Sequence, residues 1–279
     1  MKTKLVTTIR MMCIAVLSLV ILLAVFVMLF ENQFIYFPDK YPAGQYAQAA
    51  AVPGLVDCWM TAEDGVKLHG WFLPADSAIA TLVMPHGNAG NISNRYALMA
   101  ILRQYGFHVF MFDYRGYGRS EGVPSEQGLY MDGKAAFDYA ATRPEVNSKK
   151  IFVWGTSLGG AVAVDIVMHR PAAGLILEST FTSAAAMAAE LYPSLPVRFF
   201  LRTKFNSIEK IGQIHAPLLL MHGNEDRTVP FRLGQELYAA AHEPKEFYEI
   251  TGADHNDTYM VGGSVYFQRV REFILKSIH

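Results

Sequence analysis

The chain has 279 residues, of which 52% are hydrophobic and 18% are charged, and its formal net charge is −1. This length and apolar content suit one large α/β domain with an additional segment. A net charge near zero, without a basic stripe or an RNA-binding signature, excludes a nucleic-acid-binding protein.

The first predicted element is a transmembrane helix. Residues 11–30 form an unbroken run of about 20 residues without a charge, long enough to cross the hydrocarbon core of a bilayer. A buried core helix is not expected, because a run that is apolar on all sides at the start of the chain has no repeating α/β unit to bury it. A cleaved signal peptide is the alternative, but this run is long and ends in bulky side chains. We therefore expect an uncleaved membrane anchor over residues 1–31.

The charges that flank the run predict its orientation. The amino terminus and three basic residues precede the run, whereas two acidic residues and one basic residue follow it: Lys2, Lys4 and Arg10, then Glu31, Asp39 and Lys40. Because basic residues are retained on the cytoplasmic side, the N-terminus is expected in the cytoplasm and the catalytic domain on the outer side, which is the periplasm in a bacterium. The cysteines do not test this, since Cys13 lies in the run and Cys58 has no partner in the domain.

Residues 32–54 are rich in Tyr, Pro, Ala and Gln without periodicity and are predicted to form a tether. Regular patterning begins at Leu55, so the folded domain is expected over residues 55–279. Alternating segments at 55–62 and 66–74, joined by Glu-Asp-Gly, predict a β-hairpin. Apolar runs predict six further strands at 80–84, 107–112, 151–154, 174–177, 217–221 and 246–251. Helix-length stretches lie near 92–104, 125–142, 158–169, 231–242 and 264–277.

Strands that alternate with helices predict a mostly parallel sheet covered by helices on both faces. The initial hairpin makes it a mixed sheet of about eight strands. Residues 181–214 break the alternation, because this apolar stretch is interrupted by prolines. We expect a small cap of helical fragments there, and an ordinary connection with extra core residues is the alternative.

Residues 151–160 (IFVWGTSLGG) predict the nucleophile. An apolar strand ends in G-x-S-x-G and passes directly into a helix-like run, which is the pattern of a nucleophile elbow with Ser157 at its tip. Gly155 and Gly159 fit this turn, since a Cβ at either position would clash with the backbone. A second match carries Ser120, but it lies well past the end of its strand and Pro124 follows. Ser120 is therefore expected in a loop or at a helix cap.

A serine nucleophile needs a base and an acid that orients the base. His255 directly follows the last predicted strand, where a loop can deliver an imidazole to the carboxyl edge of the sheet. Asp226 lies in the loop after the strand at 217–221. The order Ser157, Asp226, His255 is that expected of an α/β-hydrolase. Three other carboxylates are the alternatives for the acid: Glu225, Asp254 and Glu178.

The developing charge on the substrate carbonyl needs donors that are already in place. The turn at residues 86–91 (HGNAGN) lies between a strand and a helix, which is the right position for an oxyanion hole. We predict that the backbone N–H groups of Asn88 and Leu158 are the donors. His86 is expected to brace the turn by hydrogen bonding and not to take part in the chemistry.

Five ordered motifs resemble those of the α/β-hydrolase superfamily. They are HGNAGN at 86–91, DYRGYGRSEG at 113–122, GTSLG at 155–159, HGNED at 222–226 and DH at 254–255. More narrowly, the chain from about residue 31 onward resembles the membrane-anchored serine hydrolases of the Bem46 and ABHD13-like group. The resemblance implies a triad of Ser157, His255 and Asp226 and hydrolysis of esters or thioesters without a cofactor. It does not specify a substrate.

The sequence thus predicts a serine hydrolase that cleaves acyl esters through an acyl-enzyme. No metal is expected, because the histidines and cysteines lack ligand spacing. The apolar cap favours a hydrophobic or lipid-like small-molecule substrate, bound by Leu191, Tyr192, Leu195, Phe199 and Phe200. An acyl-protein thioesterase is the alternative. A peptidase is less favoured, since no peptide-gating domain is evident, and a binding module without activity would predict damage to the triad.

Overall fold

The computed structural model of the chain describes residues 2–278. Its first element is α1 (Lys2–Ile35), a helix of 34 residues that is long and apolar enough to cross a membrane. The helix continues past the predicted run because residues at its C-terminal end pack against the rest of the protein. The amino terminus and the Lys2 side chain, which enter the topology prediction, lie outside the described part of the chain.

The centre of the protein is one sheet of eight strands in the order β1-β2-β4-β3-β5-β6-β7-β8. The strands are β1 (Val56–Thr61), β2 (Lys67–Leu73), β3 (Ala80–Pro85), β4 (Phe107–Phe112), β5 (Ile151–Thr156), β6 (Gly174–Glu178), β7 (Leu218–Gly223) and β8 (Lys245–Ile250). Strand β2 is antiparallel to both of its neighbours, and the pairs from β4 to β8 are parallel. The predicted mixed, mostly parallel sheet is confirmed.

Helices cover both faces of this sheet. They are α2 (Tyr46–Ala49), α3 (Tyr96–Gln104), α4 (Glu126–Thr142), α5 (Leu158–His169), α6 (Ala184–Leu191), α7 (Ser207–Ile211), α8 (Phe231–Ala240) and α9 (Thr258–Ser277). Short 3₁₀ helices occur at Ile92–Arg95, Ser148–Lys150 and Pro196–Phe199. One core cluster joins the sheet to α4, α5, α7 and α8, and a second joins it to α3 and α9. These two layers are the α/β-hydrolase architecture that the sequence predicts.

The segment between β6 and β7 forms the cap, which we define as residues 181–214. It consists of α6, the 3₁₀ helix Pro196–Phe199 and α7, so the proline-interrupted stretch is a set of helical fragments. Its apolar side chains form a cluster with α1, centred on Val27, Ala188 and Leu201.

Hydrogen bonds also hold α1 and the following segment against the domain. The buried Glu31 side chain accepts the N–H of Arg202 at 2.8 Å and the hydroxyl of Thr203 at 3.2 Å. Further along, Pro38 pairs with Gly90 and Lys40 pairs with Gly118 as isolated bridges. The segment predicted as a tether is therefore fastened to the loops at the edge of the sheet.

Candidate active site

Ser157 lies at the sharp turn between β5 and α5. Its backbone adopts φ +54° and ψ −120°, a conformation that non-glycine residues rarely adopt and that is held here by its surroundings. Its N–H donates to the carbonyl oxygen of Glu178 at 2.9 Å, and the hydroxyl of Thr180 donates to its own carbonyl oxygen at 2.7 Å. The turn needs glycine on both sides, because a Cβ on Gly155 would lie 2.2 Å from the carbonyl oxygen of Gly159.

The structure brings the three predicted residues together from three loops. Ser157 Oγ lies 3.1 Å from Nε2 of His255, and Nδ1 of the same ring lies 2.8 Å from Oδ2 of Asp226. Asp226 follows β7, and His255 lies between β8 and α9. When Nδ1–H donates to the carboxylate, Nε2 carries the lone pair and can accept the serine proton. This geometry suits nucleophilic catalysis by the serine hydroxyl.

Asp226 is held by more groups than His255 alone. Its Oδ1 accepts the N–H groups of Thr228 at 2.9 Å and Val229 at 2.7 Å, and its Oδ2 lies 3.3 Å from Nε2 of His222. Burial raises the pKa of Asp226, but the hydrogen bonds from His222, His255 and Val229 lower it by more, so the pKa lies well below the usual range of an aspartate. The carboxylate is therefore charged at neutral pH.

Within residues 2–278, no hydrogen bond joins the imidazole ring of His255 to any of the other three predicted acids. Both carboxylate oxygens of Glu178 are occupied by other side chains, with donors from Trp154 and Thr156 on one oxygen and from Thr258 and Tyr266 on the other. Asp254 accepts the backbone N–H groups of Arg227 and His255 and so shapes the histidine loop. Glu225 is exposed to solvent.

Ser120 lies in a loop, away from any nucleophile turn. Its hydroxyl donates to the carbonyl oxygen of Asp113 at 2.7 Å and accepts the N–H of His69 at 2.9 Å. These two bonds tie the loop to β2. The Ser120 hydroxyl is therefore used both as a donor and as an acceptor in holding its own loop.

The turn at residues 86–91 lies beside Ser157, since a Cβ added to Gly87 would be 3.5 Å from the Ser157 Cβ. Leu158 is the first residue of α5, where backbone N–H groups have no partner inside the helix. Within residues 2–278, no hydrogen bond uses the N–H of Asn88 or of Leu158. Neither N–H group has a partner within the described residues, and their role as oxyanion donors stays a prediction.

Two side chains brace this turn from behind. Arg95 donates to the carbonyl oxygens of Asn91 at 2.6 Å, Ala89 at 2.7 Å and Gly87 at 3.3 Å. The Nδ1 atom of His86 lies 2.6 Å from the Gly87 carbonyl oxygen. Burial lowers the pKa of His86 well below its usual range, so its imidazole is neutral. These contacts hold the turn in place from the side away from Ser157.

A cavity of about 980 Å³ opens above Ser157 and His255. The cap forms one wall with apolar side chains, among them Met187, Leu191, Tyr192 and Leu195. Three of the five cap residues predicted to bind substrate therefore line the cavity.

The other two predicted cap residues do not line the cavity. Phe199 is 70% exposed on the outer surface, and Phe200 packs in the cluster with Val27. Residues three apart share one side of a 3₁₀ helix, so Val197 and Phe200 face the same way and Phe199 points outward.

Sequence reasoning missed two parts of the site. His222 stands on a buried strand, and only the folded loop brings its ring to Asp226. The second part is α1, which lines the cavity with Leu23, Phe26, Val27, Phe34 and Ile35. No local signal marks these residues, because in sequence they are five apolar positions of a long apolar helix.

Comparison with known proteins establishes the family. A profile described as "Serine aminopeptidase, S33" matches residues 76–208. The chain is 40% identical over 275 residues to protein Rv2307c of Mycobacterium tuberculosis, which covers 96% of this chain and 97% of that protein. It is 37% identical to the alpha/beta hydrolase domain-containing protein WAV2 of Arabidopsis thaliana, over 79% of this chain and 78% of that protein. The chain belongs to the α/β-hydrolase superfamily.

Solved structures show the same fold. The Pyrococcus furiosus esterase Pf2001 superposes with a TM-score of 0.72 at 23% identity, over 88% of this chain and 98% of that chain. An alpha-beta hydrolase from Vibrio vulnificus superposes with a TM-score of 0.72 at 19% identity, over 86% and 91%. At these identities the likeness establishes the fold and not the reaction.

Proposed function

We propose that this protein is a serine hydrolase that cleaves carboxylic esters through Ser157, His255 and Asp226. The observation that supports the proposal most strongly is the chain of contacts from Ser157 Oγ to His255 at 3.1 Å and from His255 to Asp226 at 2.8 Å. The three groups have the order, the spacing and the burial that nucleophilic acyl transfer requires. They also line or adjoin a large cavity with an apolar wall.

The reaction proceeds in two acyl-transfer steps. Nε2 of His255 takes the Ser157 proton as Oγ attacks the acyl carbon, and the charged Asp226 stabilises the imidazolium that forms. The N–H groups of Asn88 and Leu158 bind the oxyanion, each donor lowering the barrier by about 3 kcal/mol. The imidazolium then protonates the departing alkoxide. Water, deprotonated by His255, attacks the acyl-enzyme, and Oγ recovers its proton as the acid leaves.

The cavity supports an apolar acyl group as the substrate. Its volume of about 980 Å³ is at the upper end of the range for small-molecule sites, and apolar side chains from the cap and α1 make up much of its lining. Of the three carboxylates in the lining, Glu31 and Glu178 are occupied by hydrogen bonds within the protein, and Asp39 is exposed. We therefore favour a hydrophobic ester over a charged substrate.

We also propose that α1 anchors the protein in a membrane, with the N-terminus in the cytoplasm and the hydrolase domain, residues 55–279, on the outer side. The helix is apolar over more than a bilayer's thickness, and most of its apolar side chains are exposed to the surroundings. The basic residues Lys4 and Arg10 precede the run and support this orientation.

An acyl-protein thioesterase is the second candidate, since the same three residues attack thioesters. A peptidase is suggested by the name of the matched profile alone. An aminopeptidase must bind the substrate's free ammonium group, and two of the three cavity carboxylates, Glu31 and Glu178, are engaged elsewhere, which leaves the exposed Asp39. The cavity therefore favours acyl transfer from esters or thioesters.

The test compares an oxygen ester and a thioester that share one acyl group, with full-length protein and its Ser157→Ala variant. We expect hydrolysis of the oxygen ester and a loss of about a thousandfold or more in Ser157→Ala. A rate at least about tenfold higher for the thioester favours the thioesterase. If folded protein hydrolyses neither compound, the proposal is contradicted.

A further inference from the structure

One wall of the cavity above Ser157 is formed by the helix proposed to lie in the membrane. We propose that α1 is part of the substrate site, and that the acyl chain of a membrane-resident lipid ester enters the cavity sideways from the outer leaflet, along α1. This inference rests on the proposed function and adds the location and class of its substrate.

The cavity-lining residues of α1 lie on one face of the helix. Leu23, Phe26 and Val27 are spaced three and four residues apart, which places them side by side on an α-helix, and Phe34 follows Val27 after two turns. The opposite face is free, since Ile21 is 55% exposed and Val25 is 46% exposed. The helix thus has a cavity face and a lipid face.

The cavity reaches the depth of the acyl chains. The uncharged run of α1 ends at Phe30, and Leu23 stands seven residues earlier. At a rise of about 1.5 Å per residue, Leu23 lies about 10 Å inside the end of the run. If residues 11–30 span the hydrocarbon core, the Leu23 and Phe26 part of the wall lies among lipid tails, whereas Ser157 lines the same cavity.

The outer surface of the cap fits the same placement. Phe199 is exposed on the outer surface, and the cavity-lining Leu191 and Leu195 are also exposed, in a segment that packs against α1. The same segment carries the exposed basic residues Arg198 and Arg202. Apolar side chains next to basic ones are typical of protein surfaces that lie at the headgroup layer of a bilayer.

Polar contacts fix α1 in this position. Glu31 is held by the backbone of Arg202 and the hydroxyl of Thr203, and the side-chain amide of Asn88 donates to the carbonyl oxygen of Ile35. The wall therefore belongs to the folded domain and is not a loosely attached segment. An ester group at the level of the headgroups is then presented to Ser157 while its chain stays in apolar surroundings.

The first experiment uses the protein in phosphatidylcholine vesicles, with the matched variants Leu23→Trp and Ile21→Trp. The substrates are two fluorogenic esters, one palmitoyl and one butanoyl. We expect the ratio of palmitoyl to butanoyl kcat/KM to fall about tenfold in Leu23→Trp, the equivalent of about two buried methylene groups, and to stay at the wild-type value in Ile21→Trp. Equal ratios in the two variants would overturn the inference.

Labelling by a fluorophosphonate separates the two proposals. A wild-type protein that neither labels nor hydrolyses either ester contradicts the proposed function, and the inference with it. A wild-type protein that labels and cleaves both esters, with no selective effect at Leu23, leaves the proposed function standing and overturns the inference alone.

A second experiment needs no variant and so does not depend on how Leu23→Trp folds. A long-chain ester that does not exchange between vesicles is placed either in the vesicles that carry the protein or in separate vesicles. Sideways access predicts hydrolysis in the shared vesicles only. Equal rates in both arrangements mean that the ester is taken from outside the protein's own bilayer and would overturn the inference.

Discussion

The side chain of Asn88 joins the turn beside Ser157 to the end of α1, because its Nδ2 donates to the carbonyl oxygen of Ile35. Its Oδ1 accepts the N–H of Phe37 at 3.2 Å and the hydroxyl of Tyr117 at 2.8 Å. The same residue carries the backbone N–H proposed as an oxyanion donor. The end of the apolar helix and the turn beside Ser157 therefore share contacts with one side-chain amide.

Substitution of this amide tests its role. Asn88→Ala keeps the backbone N–H but removes all three side-chain bonds, so the turn is less well held. We expect kcat on a short ester to fall about tenfold with little change in KM, since an oxyanion donor acts mainly in the transition state. Asn147→Ala, which removes an exposed side-chain bond to Lys149, is the control. Equal kcat in wild type and Asn88→Ala would show that the turn is rigid without the amide.

His222 is predicted to position Asp226. Its Nε2 lies 3.0 Å from the carbonyl oxygen of Val229 and 3.3 Å from Oδ2 of Asp226. His222→Phe keeps a ring of similar shape but removes the donor, and we expect kcat to fall about tenfold, the usual value of one hydrogen bond to a charged group. His222→Gln, which can still donate, should recover part of the loss. If both variants lose the same activity, packing and not hydrogen bonding explains the effect.

The lowered pKa of Asp226 predicts the shape of the pH–rate profile. Because the folded pKa lies below the usual aspartate range, the carboxylate stays charged as the pH falls to about 4, and it does not take up a proton in that interval. The acid limb of kcat/KM should therefore have a slope of one proton, without a contribution from Asp226. Initial rates on a short ester across this range measure the slope. A slope of two would mean that Asp226 is protonated as well.

Gly159 is predicted to accept no side chain. A Cβ at this position would lie 2.1 Å from the carbonyl oxygen of Pro85, and neither backbone segment can move without disturbing β3 or α5. Gly159→Ala should yield little folded protein, measured by thermal unfolding. Gly212→Ala is the matched control, since its Cβ would meet only the Ala240 carbonyl oxygen at 3.4 Å. A Gly159→Ala variant as stable as the control would contradict the account of this turn.

The fold could be predicted from sequence because its signals are local. Each strand is a short apolar run, and the strand at 107–112 coincides with β4. The turn that carries Ser157 is also encoded locally, by two glycines whose Cβ atoms would clash. The positions of Asp226 and His255 follow from the rule that the carboxyl ends of parallel strands share one edge of the sheet. Their catalytic roles remain a prediction.

The parts of the site that could not be predicted from sequence depend on contacts between distant parts of the chain. The apolar pattern of α1 predicts a membrane helix but does not indicate that Leu23 and Val27 meet the cap. For the same reason the sequence does not indicate that Phe199 and Phe200, predicted to bind substrate, lie outside the cavity lining, since the direction of a side chain in a short 3₁₀ helix depends on what the helix packs against. Arg95 and His222 are ordinary helix and strand residues in sequence.

The most direct test of the central claim is the intact mass of full-length protein after treatment with a fluorophosphonate. The wild type and two variants, Ser157→Ala and Ser120→Ala, are compared. The proposed mechanism predicts one added phosphonyl group on the wild type and on Ser120→Ala and none on Ser157→Ala. The Ser157 hydroxyl contacts the imidazole ring of a histidine that is paired with a carboxylate, whereas the Ser120 hydroxyl bonds to two backbone groups. Folded wild-type protein that remains unlabelled, or labelling that persists in Ser157→Ala, would contradict the assignment of Ser157 as the nucleophile.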